Sequence, residues 1–136
     1  MKVCTIVGTR PDVIRLSEVM RCLNNTPTVG HVLVHTNQNY DYELHKIFFE
    51  DLNLPEPDIT LTLDCTSLGT RIASMLTGVE SALTDLRPDA VLILGDTYSC
   101  LSAIIAKNMK IPVFHMEAGN RCFDDNVPEE INRRLV

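Results

Sequence analysis

Ala90-Val91-Leu92-Ile93-Leu94-Gly95-Asp96-Thr97 is the stretch that decides the fold. Its apolar residues run without alternation, which describes a strand covered on both faces, and Gly95-Asp96-Thr97 turns that strand into a helix ending near Lys110. A strand of this kind needs helices above and below it, and the chain on either side supplies them.

Upstream, Ser67 is placed to cap a long helix whose stripe is Leu68, Ile72, Met75, Val79, Leu83 and Leu86, interrupted by Gly69 and Gly78 and stopped before Pro88. Before it come a brief strand over 59–63 and a helix from Tyr40 to about Leu52, with Leu44, Ile47, Phe48 and Leu52 on one face and Pro55 and Pro57 beyond. The amino end reads as strand, tight turn and helix: Lys2 to Val7, Gly8, then Val13, Leu16, Met20 and Leu23 at helical spacing after Pro11. His31 to His35 is a second strand. Downstream, Ile111 to Met116 is read as another buried strand, and Pro128 opens a last helix. Strand and helix alternate throughout, so the expected fold is α/β: a Rossmann-like parallel sheet with helices on both faces.

With 136 residues, 45% of them apolar, one domain over 1–136 is expected. The closing residues read as the opening turns of a helix, so this domain is expected to be the front part of a longer protein. A net charge of -6 argues against nucleic acid and anionic membrane surfaces as partners, because both reward basic patches. The amino end is a core strand rather than a cleavable signal and no apolar run has bilayer length, so a cytoplasmic location is the default expectation. Cys4, Cys22, Cys65, Cys100 and Cys122 lack Cys-x-x-Cys spacing and are odd in number, which speaks against a zinc site or a disulfide framework. Buried thiols are expected, except at Cys122 beside Arg121.

In sheets of this class ligands sit outside the carboxyl ends of the strands, and the charged residues collect there. Gly8-Thr9-Arg10-Pro11 follows the first strand, where a helix N-terminus suits a phosphate and Arg10 is either its clamp or a surface arginine. Asp96 sits where an aspartate caps a helix. Glu129 and Glu130 each have an arginine four residues on, Arg133 and Arg134, as helical ion pairs do. Glu117, at a strand end, is neither cap nor helical pair and most needs a chemical reason. His115 reads as a hydrogen-bonded strand residue behind the site, and the polar loop Thr36-Asn37-Gln38-Asn39-Tyr40 either contacts a sugar or starts a helix.

Gly8-Thr9-Arg10-Pro11, Gly95-Asp96-Thr97, His115-Met116-Glu117-Ala118-Gly119 and Pro128-Glu129-Glu130-x-Asn132-Arg133, in this order and spacing, resemble the non-hydrolysing UDP-N-acetylglucosamine 2-epimerase family. The resemblance covers essentially the whole chain. His35 to Leu44 and Glu117 to Asp124 look like the branch that inverts C2 of UDP-2-acetamido-2,6-dideoxy-L-talose in UDP-N-acetyl-L-fucosamine synthesis, for capsule and O-antigen. The commoner family member begins its first helix with Pro-Glu where this chain has Pro11-Asp12, and has lysine in place of Arg15 and Gly-Leu-Arg in place of Gly119-Asn120-Arg121. The Arg15 difference preserves a positive charge but not a lysine-specific role.

The resemblance implies a first domain of a two-domain, GT-B-like epimerase with its site in the interdomain cleft, homodimeric at full length and without a redox cofactor or metal. Its reaction is anti elimination of UDP to a 2-acetamidoglycal, followed by re-addition with C2 inverted. Asp96, Glu117 and Glu129 match the essential acids. Arg10, with Arg15, Gln38, His115 and Arg133, is assigned to the UDP-linked N-acetyl amino sugar, Arg133 either holding Glu129 or meeting phosphate. UDP-N-acetylglucosamine/UDP-N-acetylmannosamine interconversion is the alternative substrate pair. A glycosyltransferase of the same architecture and an inactive sugar-nucleotide-binding module are the alternative functions.

Overall fold

The structure, a computed structural model, describes residues 1–38 and 49–136. Strands β1 (Lys2–Val7), β2 (Gly30–His35), β3 (Ile59–Thr60), β4 (Ala90–Leu94) and β5 (Val113–Met116) form one sheet in the order β3-β2-β1-β4-β5, and every neighbouring pair is parallel. The helices are α1 (Arg10–Asn24), α2 (Leu68–Leu86), α3 (Ser102–Asn108) and α4 (Pro128–Leu135), with a 3-10 turn at Tyr98–Leu101 leading into α3. The order reverses between β1 and β4, and a crevice opens at such a reversal because the loops on either side leave in opposite directions.

Successive residues of the central strands feed two separate cores. Cys4, Ile6, Val91 and Ile93 pack with Met75, Val79 and Leu83 of α2 and Ala103 and Ala106 of α3. Val3, Val7, Leu92 and Leu94 pack with Val13, Leu16 and Met20 of α1 and with Phe49 and Leu54. This two-sided burial is why the Ala90–Leu94 run carries no polar alternation.

Both long helices keep their expected limits. Ser67 accepts a hydrogen bond from the Thr70 amide at 3.1 Å, and α2 ends with Arg87 in the left-handed region at φ 46°, donating its amide to Leu83 before Pro88. Gly78 belongs to the packing: a Cβ there would lie 3.1 Å from Leu61 Cδ1, so the missing side chain makes room for that buried leucine.

Several expectations need correction. The strand expected over 59–63 pairs with β2 only at Ile59 and Thr60, because it meets the last two residues of β2; one further bond, from the Leu61 amide to the His35 carbonyl, ends the ladder. The helix after Asp96 does not begin at Asp96: Thr97 precedes a 3-10 turn, and α3 proper starts at Ser102. Nor is the strand ending at Met116 buried on both faces. It is the sheet edge, its residues alternate between half-buried and exposed, and Phe114 is 62% exposed. The helix expected from Tyr40 to Leu52 falls mostly outside the described residues, with Phe49 to Asp51 helical.

All five cysteines are free; Cys4 and Cys100 are buried, and Cys22 as well as Cys122 is exposed. Among the described residues no helix is long and apolar enough to cross a membrane.

Ile93→Ala, which empties a fully buried site, is expected to cost about 2–5 kcal/mol in urea unfolding of this chain, and Phe114→Ala less than about 0.5 kcal/mol because its ring faces solvent. Equal losses at the two positions contradict the one-sided covering of β5.

Candidate active site at the carboxyl ends of the strands

The loops after β1, β4 and β5 are tied into one rim by side chains. Asp12, buried in the first turn of α1, accepts on Oδ2 from the amides of Gly8 (2.9 Å) and Thr9 (3.0 Å) and, more distantly, from the hydroxyls of Thr97 and Ser99 (3.4 Å each). It therefore joins the β1 turn to the β4 turn across the point where the strand order reverses. Burial pushes the Asp12 carboxyl up, against the opposing pull of these donors.

This changes the reading of Gly8-Thr9-Arg10-Pro11. The Gly8 and Thr9 amides, just ahead of the helix N-terminus expected to suit a phosphate, are occupied by the chain's own carboxylate at the N3 position. Arg10 stands exposed at the start of α1 on the same rim. The loop after β2 closes against this turn, since a Cβ at Gly8 would lie 2.7 Å from Gln38 Nε2 and 2.8 Å from Thr36 Oγ1. Gln38 Nε2 is buried and makes no hydrogen bond among the described residues, which is a costly state for an amide donor unless something else meets it.

At the end of β4, Asp96 forms an ion pair with Arg133 of α4, both side chains largely buried at 17% and 16% exposed. Asn132 Nδ2 donates to the Asp96 carbonyl at 2.8 Å, so consecutive residues of α4 grip the backbone and the side chain of one aspartate. Asp96 is thus a partner of Arg133, not a helix cap. The expected Glu129–Arg133 pair is not formed, because Arg133 has turned to Asp96; Glu129 is exposed at the start of α4 without a partner among the described residues. The reading of Arg133 as the residue holding Glu129 is corrected accordingly.

At the end of β5, His115 Nε2 donates to the Gly95 carbonyl at 2.6 Å, and the Gly95 amide donates to the Met116 carbonyl at 3.0 Å. These bonds set the β4 and β5 turns side by side. Glu117 then adopts φ 60°, a backbone region that side-chain-bearing residues rarely occupy. Arg15 Nη1 reaches it from α1, bonding Glu117 Oε2 at 2.7 Å. The pair is open to water, Arg15 at 57% and Glu117 at 32% exposure, so it orients the carboxylate far more than it stabilises the fold.

Sequence reasoning missed Glu130, the most enclosed carboxylate. Its spacing predicted Arg134, which does approach at 3.4 Å, but the nearer partner is Arg121, whose Nε donates at 2.7 Å and whose Nη2 also bonds Oε1. Oε2 takes the amides of Cys122 (3.1 Å) and Phe123 (3.4 Å). Glu130 in this way fastens the loop that Glu117 begins to the helix that Glu129 opens. The Arg121 bonds hold its carboxyl down at about 2, against the upward push of burial. Only Asp12 had a local signal, the Thr9-x-x-Asp12 pattern of a helix start.

Residues 21–136 match the family model described as UDP-N-acetylglucosamine 2-epimerase. The chain belongs to that family. A UDP-N-acetylglucosamine 2-epimerase of Methanocaldococcus jannaschii is 46% identical over 137 residues, which cover 100% of this chain and 37% of the relative. A UDP-2,3-diacetamido-2,3-dideoxy-D-glucuronate 2-epimerase of Pseudomonas aeruginosa is 39% identical, covering 100% and 39%. The crystal structure of the Methanocaldococcus jannaschii epimerase in complex with UDP-GlcNAc and UDP superposes with a TM-score of 0.92 at 45% identity, over 99% of this chain and 37% of that one. The chain therefore spans little more than a third of the length of these epimerases.

Arg15 and Asn120 meet on Glu117, Asn120 Nδ2 donating to the same Oε2 at 3.2 Å.

Since its folded carboxyl lies below the ordinary value of 4.5, Glu130 contributes stability that is complete above about pH 4.5 and is lost as pH falls toward about 2. Glu130→Gln is expected to flatten the pH dependence of unfolding free energy across that window. An unchanged slope in acid titrations followed by circular dichroism contradicts the Arg121 clamp.

Proposed function

We propose that this chain is the first domain of a UDP-N-acetyl-amino-sugar 2-epimerase, with its cleft at the rim just described. The observation that carries the reading is the pairing of Asp96 with Arg133 and of Glu117 with Arg15 at the carboxyl ends of adjacent strands, each pair joining segments distant in sequence, in a member of this epimerase family. Carboxylates set against arginines match a reaction that moves a proton at carbon while a diphosphate departs.

In the forward half, a carboxylate takes the C2 proton as the C1–O bond to UDP breaks, and the electron pair from C–H becomes the C1–C2 double bond of the 2-acetamidoglycal. In the return half, UDP oxygen re-forms the bond at C1 and a proton reaches C2 from the opposite face, leaving C2 inverted. The sequence is redox-neutral. Glu117 is the acid/base we assign to C2, and Asp96 and Glu129 share the proton work or hold the sugar. Arg10 contacts the diphosphate, since the glycine-turn amides are engaged by Asp12. Gln38, with its buried unpaired amide donor, meets the substrate, and Arg133 and His115 hold the Asp96 turn from behind.

The substrate we assign is UDP-2-acetamido-2,6-dideoxy-L-talose, giving UDP-N-acetyl-L-fucosamine. UDP-N-acetylglucosamine is the second reading, favoured by the names of the relatives. The complete enzyme on this reading is a two-domain cytoplasmic homodimer, and this domain alone does not turn over, because the opposite wall of the cleft belongs to the second domain.

A panel of UDP-amino sugars incubated with the full-length protein in heavy water is the test: the true substrate returns with deuterium at C2, whereas a glycosyltransferase has no reason to exchange that position. Glu117→Gln is expected to slow turnover on the order of a hundredfold or more with UDP affinity nearly intact. Near-wild-type turnover removes Glu117 from the chemistry. Arg10→Ala is expected to weaken nucleotide binding instead, and calorimetry showing unchanged affinity rejects its assignment.

A further inference from the structure

We propose that Asn120 is a positioning residue which, together with Arg15, pins Oε2 of Glu117 and leaves Oε1 as the oxygen presented to the substrate; the inference rests on the epimerase reading above. Two donors from separate elements converge on one oxygen, Arg15 Nη1 of α1 at 2.7 Å and Asn120 Nδ2 of the loop at 3.2 Å. Oε1 has no hydrogen-bond partner among the described residues. A carboxylate held by a single donor swings about that bond, whereas two donors in different directions fix the plane of the group.

The backbone is arranged to the same end. The Asn120 amide donates to the Glu117 carbonyl at 3.1 Å, closing a tight turn that sets the reach of the asparagine side chain back to the carboxylate. Glu117 itself is held at φ 60°, so its side chain leaves the end of β5 in a direction an ordinary strand residue does not take. The donor at 120 is neutral, so it orients the carboxylate without setting a second cation beside it. Asn120 is exposed, so its replacement leaves the core untouched.

The experiment uses full-length protein in heavy water with the substrate found by the panel. Wild type deposits deuterium at C2. Asn120→Leu, close in size and without a donor, is expected to lower kcat about tenfold, with KM and melting temperature unchanged, the loss corresponding to one oriented hydrogen bond. Asn120→Asp, which sets a second carboxylate against Oε2, is expected to lower kcat further, and Asn120→Gln, with its donor retained on a longer arm, to recover part of it. The inference is overturned if the Leu and Asp variants both keep wild-type kcat, if the loss appears in KM alone, or if it follows a fall in melting temperature. Wild-type protein that deposits no deuterium from any UDP-amino sugar overturns the epimerase reading and this inference together.

Discussion

One buried oxygen holds this rim together. Asp12 Oδ2 collects the Gly8 and Thr9 amides and faces the Thr97 and Ser99 hydroxyls, so the turns that follow β1 and β4 are cross-braced where the strand order reverses. A reversal opens a crevice by topology alone. The aspartate ties the start of α1, the helix that carries Arg10 and Arg15, to the β4 turn. Burial raises its proton affinity against the opposing pull of these donors.

From that brace outward the charges are organised in long-range pairs. Arg15 crosses from α1 to Glu117, Arg133 returns from α4 to Asp96, and Arg121 reaches Glu130. Arg15 and Arg133 each reach a carboxylate on another element, and Arg121 shares Glu130 with Arg134. Bidentate-capable arginine suits this work better than lysine, because a planar fork transmits orientation whereas an ammonium offers a point charge. The arrangement also separates roles: Glu130 is enclosed and serves the loop, Asp96 is largely enclosed and serves the turn, and Glu117 and Glu129 face the solvent side of the cleft.

How much of this was legible in advance differs by residue. The Ala90–Leu94 strand, the Ser67 cap and the end of α2 before Pro88 were readable because local patterns determine them: an unbroken apolar run, a hydroxyl at an N-cap and a proline. Glu117 stood out for a related reason, since no local motif accounted for an acid at a strand end. Local reasoning failed where a nearer partner in space displaced the partner in sequence. Arg133 lies four residues from Glu129 and pairs with Asp96 instead, whereas the expected Glu130–Arg134 pair does form, with Arg121 added at closer range. The first turn holds a ligand of its own, since the Asp12 carboxylate takes the Gly8 and Thr9 amides just ahead of the helix.

By itself the sequence determined the class of fold and the strand ends at which the charged residues collect, which follow from hydrophobic period and turn chemistry, while its four motifs in register carried the resemblance to the family. Only the tertiary structure decided which arginine holds which acid, that β5 is an edge, and that Arg15 and Asn120 act on the same oxygen. The physical reason is range: period and capping are set within a few residues, whereas a carboxylate's partners are chosen by whichever donors the packed sheet and helices bring within about 3 Å of it.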